Sequence, residues 1–169
     1  MPQINSNVIF LIDDDVIYAK TIHHNLVQHF GSKFKIYVYN TGEEALKNMK
    51  HKPGIVILDY YLDGVNKEAK AGLDILKEIK KIAPLTHIVM LSMEDSLKIA
   101  NDCVDNGAFD YIVKSETAFV KILNIIKNIF KNFLLKRKVR SERIGLFVAF
   151  LIISLFVAVI LYFYKANAL

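Results

Sequence analysis

One cysteine, three prolines, seven glycines and no tryptophan mark what this 169-residue chain has little of. With Cys103 alone, neither an intramolecular disulfide nor a paired-cysteine metal or redox motif can form, and the residue is expected as a small buried hydrophobe. No Gly- or Pro-rich linker, internal repeat or low-complexity tract interrupts the chain. The first residues, "MPQINSNVIFLIDDD", hold too few apolar side chains for a secretion signal, so residues 1–130 are expected in the reducing cytoplasm.

Charge is missing altogether from Ile144 to Tyr164, "IGLFVAFLIISLFVAVILYFY". As a helix this run is about 31 Å long at roughly 1.5 Å per residue, the thickness of a bilayer's hydrocarbon core. It is expected to be a transmembrane helix over 144–164, with Tyr162, Phe163 and Tyr164 at one interface and a short tail, 165–169, beyond it. Lys131, Lys136, Arg137, Lys138, Arg140 and Arg143 stand before the run against Glu142 alone, while acids and lysines nearly balance over residues 1–130. The net charge of +5 is therefore read as a juxtamembrane basic segment over 131–143 facing anionic lipid, and no nucleic-acid partner is expected. Excess basic residues before the span place residues 1–130 on the cytoplasmic side of the inner membrane and the C-terminus outside. Gly145 with Ala149, and Ser154 with Ala158, are small-residue pairs of the kind that bring membrane helices together as a homodimer.

In residues 1–130, short apolar runs alternate with helical patterns: "VIFLI", "FKIYVYN", "GIVILDYYL", "HIVMLS" and "FDYIVK" are the strand candidates. Strands separated by helix-length segments imply βαβ units and a parallel sheet, an α/β class. The first, third and fourth runs are continuously apolar, as central strands covered on both faces should be, whereas "FKIYVYN" alternates and suits an edge. Ile22, Leu26 and Phe30 before Gly31 indicate a first helix, Thr41 an N-cap for the second. Leu73, Leu76, Ile79 and Ile82 are expected on the buried face of the third, which stops before Pro84. The last helix is expected from an N-cap at Ser115, with its apolar pattern continuing through Ile129 and Phe130 to Phe133.

Polar residues punctuate the strand ends: Asp13, Asp14 and Asp15 after the first, Asp59 after the third, Ser92 after the fourth, Lys114 after the fifth. In an open parallel sheet, groups at the carboxyl ends gather where strand order reverses. Three crowded carboxylates repel unless a cation neutralises them, so Asp13, Asp14 and Asp59 read as a hard-cation site, most simply for Mg²⁺. With Lys114 to neutralise oxygens and Ser92 to donate a hydrogen bond, the set suits a phosphoryl group with a carboxylate as nucleophile. His23, His24 and His29 are expected as surface residues.

From about Val8 to Phe130 the chain resembles a response-regulator receiver domain: "FLIDDD" is similar to that family's acidic pair, "IVILDYYL" to its phosphoacceptor motif, "IVMLS" to its switch hydroxyl and "GAFDYIVK" to its aromatic and lysine motif. The resemblance implies a flavodoxin-like, doubly wound five-stranded sheet of order 2-1-3-4-5. It implies that Asp59 accepts phosphoryl from a sensor histidine kinase or phosphotransfer protein. Asp14, Asp59 and the backbone carbonyl of Tyr61 would bind Mg²⁺ directly, and Asp13 through water. Ser92 and Lys114 would contact phosphoryl oxygens, Tyr111 would be the rotameric aromatic switch, and Asp15 would cap helix 1. Tyr61 and Glu94 occupy positions that influence water access to the phosphoaspartate, and bulky Tyr61 is expected to slow its hydrolysis. Output would pass through helix 4, strand 5 and helix 5 to a downstream protein, or consist of draining phosphoryl groups from a relay; the only catalysis expected is self-phosphorylation and dephosphorylation.

Departures from that pattern are Ser115 where proline is common, which leaves the Lys114–Ser115 bond cis or trans; Met93 where a small residue is usual, narrowing the path to Asp59; and a long "DGVNKEAKAG" segment. Met93 and Ser115 favour an alternative, a pseudo-receiver scaffold that never cycles. A second alternative is a haloacid-dehalogenase-like phosphatase, suggested by "DDDVI", which needs further acids after the lysine where only Glu116 and Glu142 follow.

Overall fold

The computed structural model describes residues 4–62 and 70–167, the side chains of 136–146 and 155–167 excepted. Two compact units, Met1–Ile129 and Phe130–Leu169, divide the chain. In the first, five strands, β1 (Asn5–Ile12), β2 (Lys35–Tyr39), β3 (Pro53–Asp59), β4 (His87–Ser92) and β5 (Asp110–Val113), form one parallel sheet of order β2-β1-β3-β4-β5. The helices are α1 (Val16–Phe30), α2 (Gly42–Lys47), α3 (Gly72–Ile82), α4 (Leu97–Asp105) and α5 (Ala118–Asn167). Every residue of β3 is buried, and so are the last five of β1 and of β4. The continuously apolar runs are thus the central strands, and alternating "KIYVY" is an edge.

The sheet's side-chain alternation divides the core. Phe10, Ile12, Val56, Leu58, Ile88 and Met90 pack with Ala45, Ile75, Leu76, Ile79 and Cys103 from α2, α3 and α4. Ile9, Leu11, Ile55, Ile57, Val89 and Leu91 point the other way, leaving α1 and α5 to cover them with Ala19, Ile22, Leu26, Ile122, Leu123, Ile126 and Ile129, all buried. Cys103 is the small hydrophobe its solitude implied, and burial pushes its thiol up to about 11.

Local signals set several element ends. The Asp15 carboxylate accepts from the backbone N–H groups of Ile17 (2.9 Å) and Tyr18 (3.0 Å), capping α1, and Gly31 ends that helix at φ 58°. Thr41 caps α2 through the Glu44 N–H at 3.3 Å. Three expectations are corrected. β3 stops at Asp59, so Tyr60, Tyr61 and Leu62 leave the sheet. In α3 the inward face is Gly72, Ile75, Leu76 and Ile79, while Ile82 is 56% exposed and Leu73 half-buried. α5 begins at Ala118; Ser115 lies in the preceding turn, its carbonyl accepting from the Ala118 N–H at 3.0 Å.

The expected long "DGVNKEAKAG" loop falls largely on residues 63–69, outside the described residues. Among the described residues, no helix is long and apolar enough to cross a membrane; much of 144–164 lies outside those whose side chains are described, as do Gly145 and Ala158 of the small-residue pairs.

The α3 register gives a direct test. Ile79→Ala, at a fully buried site, should cost about 2–5 kcal/mol, and Ile82→Ala under about 1 kcal/mol, measured by urea unfolding. Equal losses would contradict the observed rotation of the helix.

Candidate functional site

Strand register brings the polar residues to one edge. Ile12 pairs with Leu58, Asp59 with Leu91 and Ser92 with Val113, so Asp13, Asp59, Ser92 and Lys114 leave the sheet side by side. Asp13 is fully buried and Asp59 is 5% exposed. One carboxylate oxygen from each of Asp13, Asp14 and Asp59 lies within 4.8 Å of the others. The Lys114 ammonium sits 2.9 Å from both Asp13 Oδ2 and Asp59 Oδ2.

Burial pushes the Asp59 carboxyl up to about 6, with the Lys114 hydrogen bond opposing it and the Asp13 charge adding to it. Asp13 is also raised, first by burial, against the pull of Lys114. Burial draws Lys114 down, but the Asp59 and Asp13 carboxylates outweigh it and hold the ammonium above its ordinary range. Three carboxylates converging against one ammonium form an oxygen-donor set that a hard divalent cation fits, because it removes the repulsion that burial magnifies.

Above this floor opens a cleft of about 520 Å³ lined by Asp14, Asp15, Tyr18, Asp59, Tyr61, Met93, Lys114 and Ser115. Met93, 72% exposed, stands at its wall, where the sequence placed it. Ser92 is buried, its hydroxyl accepting from the Glu94 N–H at 3.1 Å. The Tyr61 hydroxyl donates to the Glu94 carboxylate, which pushes the phenol up to about 12. The two positions expected to influence water access therefore meet each other. Tyr111 is half-buried, and its hydroxyl donates to the Glu94 carbonyl at 2.6 Å, tying β5 to the loop after β4. Among the described residues no peptide bond is cis, so Lys114–Ser115 is trans. Glu116 is exposed and absent from the cleft, and the side chain of Glu142 lies outside the described residues. His24 and His29 are exposed and His23 half-buried, all on α1 and none lining the cleft.

Two residues of the site escaped the sequence reading. Tyr18, in the first turn of α1, lays its ring 4.6 Å from the Lys114 ammonium. Its signal was positional: once Asp15 caps the helix, the third helical residue is turned back toward the strand ends. Gly72 opens α3 against the end of β3, where an added Cβ would lie 2.1 Å from the Asp59 carbonyl oxygen and 2.8 Å from Tyr60 Cα. Its N–H donates to the Tyr60 carbonyl at 2.9 Å. Only glycine lets the helix approach the strand that carries Asp59 this closely.

Residues 9–127 match the family described as the response regulator receiver domain. The transcriptional regulatory protein ZraR of Escherichia coli O157:H7 is 27% identical over 106 residues, covering 63% of this chain and 22% of ZraR. An NtrX-like response regulator of Rickettsia felis is 34% identical over 107 residues, covering 63% of this chain and 21% of that protein. The chain thus spans about a fifth of these relatives' length. The receiver domain of NtrX from Brucella abortus superposes with a TM-score of 0.63 at 24% identity, covering 73% of this chain and 98% of that domain, a likeness of fold.

Charge crowding predicts how the metal-free site responds to pH. An acid whose folded pKa is raised from 3.8 to about 6 lets the folded state hold more protons between those values, so stability is lost as pH rises through that window. Asp59→Asn should remove this fall and stabilise the metal-free protein at pH 7 by roughly 1–3 kcal/mol, read from urea unfolding at pH 4 and pH 7. Millimolar Mg²⁺ should raise the midpoint of the parent more than that of the variant; the reverse ranking would mean that the carboxylates do not form one electrostatic unit.

Proposed function

The chain belongs to the response regulator receiver domain family, and on that premise we propose that it is a membrane-tethered signalling module whose Asp59 accepts a phosphoryl group from a histidine kinase or phosphotransfer protein. One observation carries the assignment of Asp59: its carboxylate sits at the base of an open cleft, 2.9 Å from the Lys114 ammonium and within 4.8 Å of two further carboxylates. An Asp59 oxygen attacks phosphorus, the bond from phosphorus to the donor imidazole nitrogen breaks, and an acyl phosphate and free imidazole result. Lys114 keeps Asp59 ionised before transfer and offers its charge to a phosphoryl oxygen afterwards. Asp13, Asp14 and Asp59, with the Tyr61 carbonyl, would hold Mg²⁺, which supplies charge neutralisation for the transferring group when bound. Ser92, whose hydroxyl now accepts from the Glu94 N–H, is the donor that a new phosphoryl oxygen recruits. That recruitment would loosen the loop which Tyr111 grips at Glu94, and so pass the signal to the face of α4, β5 and α5. Leu97, 83% exposed on α4, and Val120 on α5 give that face apolar anchors for a partner.

The tether rests on the uncharged run 144–164 and on the basic residues before it, which favour a cytoplasmic receiver and an external C-terminus at the inner membrane. Phe147, Phe150 and Ile153 are each more than 60% exposed within α5, an apolar surface that lipid would cover.

The full chain incubated with Mg²⁺ and acetyl phosphate should gain the mass of one phosphoryl group, and Asp59→Asn should abolish the gain. An unmodified parent would instead support the pseudo-receiver scaffold. On cell fractionation, the full chain should resist alkaline carbonate extraction and a chain truncated after residue 143 should be released; equal release would remove the tether.

A further inference from the structure

Tyr18 lines the cleft, and no step above employs it. Its ring packs 4.6 Å from the Lys114 ammonium, on which the Asp13 and Asp59 carboxylates also converge at 2.9 Å each. Among the described residues its hydroxyl, shielded from solvent, has no hydrogen-bond partner. A buried hydroxyl without a partner carries its full desolvation penalty, so such groups are rare and call for an explanation. This one belongs to a side chain lining the same cleft as Asp59 and Lys114.

We infer that Tyr18 is a further phosphoryl-binding residue: its ring holds Lys114 in place, and its hydroxyl donates a hydrogen bond to an oxygen of the phosphoryl group on Asp59. The hydroxyl's missing partner is then the incoming group. A cation held over an aromatic face keeps its charge while losing freedom, which suits an ammonium that exchanges a carboxylate oxygen for a phosphoryl oxygen. Burial pushes the Tyr18 phenol above its ordinary range, with Lys114 opposing, so at neutral pH the hydroxyl keeps its proton and is a donor. No proton is transferred; Tyr18 contributes a hydrogen bond and a fixed position for Lys114. Neutral phenol is also compatible with a trianionic neighbourhood, where a further charged side chain would add to the repulsion or compete with Lys114.

This inference rests on the assignment of Asp59 as acceptor, and two variants separate the failure of one from the failure of the other. Tyr18→Phe keeps the ring and removes only the hydroxyl; Tyr18→Leu removes both. With the full chain and saturating Mg²⁺, beryllofluoride binding followed by ¹⁹F NMR should weaken about tenfold in Tyr18→Phe, about 1.4 kcal/mol, and further in Tyr18→Leu, because one hydrogen bond to a charged group is lost. Mg²⁺ affinity without beryllofluoride should stay within twofold of the parent in Tyr18→Phe, which a general loss of structure would not allow. If the parent binds beryllofluoride and Tyr18→Phe binds it equally well, the hydroxyl has no such role while Asp59 keeps its own. If the parent itself fails to bind, both readings fall together.

Discussion

Lys114 is the hinge of the site's electrostatics. Its ammonium reaches two carboxylates that burial would otherwise drive to protonation, and it does so from the end of β5, the strand farthest from β1 on that side of the sheet. Without that charge, Asp13 and Asp59 could not both remain ionised at so short a separation in a dry environment. The sheet's register, the burial of β1 and β3, and the close approach of α3 at Gly72 all serve to bring this one cation and these anions to the same place.

Around that cluster the loops are braced by one another. Tyr61 reaches Glu94 from the β3 side, Tyr111 reaches the Glu94 backbone from β5, and the Glu94 N–H reaches Ser92. Glu94 is thus a junction where the loop after β3, the Ser92 hydroxyl and the Tyr111 ring are joined. A change at Asp59 that draws on Ser92 acts on that junction, which gives the proposed switch a physical route to the surface of α4 and β5.

Much of this was legible in the chain. Apolar runs that end in acids, a serine and a lysine can be seen without coordinates, and so can the capping roles of Asp15 and Thr41, because each depends on neighbours a few residues away. The face of α3 is less legible. Its inward stripe runs Gly72, Ile75, Leu76, Ile79, and glycine carries no hydropathy to announce that it starts there, so the apolar periodicity points one residue late, to Leu73. Ser115 looked like a cap because serine often is one, but the turn it occupies delays α5 to Ala118.

What the sequence determined by itself is the existence and burial of the strands and the chemical kinds that arrive at their ends, since apolar continuity and strand-end polarity are local properties. What only the tertiary structure decided is which of those groups touch. Lys114 meets Asp59 across 55 residues of chain and Tyr61 meets Glu94 across 33, while Tyr18, from the first helix, comes to lie beside Lys114 at the end of the last strand. Distances of that kind are set by sheet register and by how closely helices can approach strands, and neither is written in any one segment.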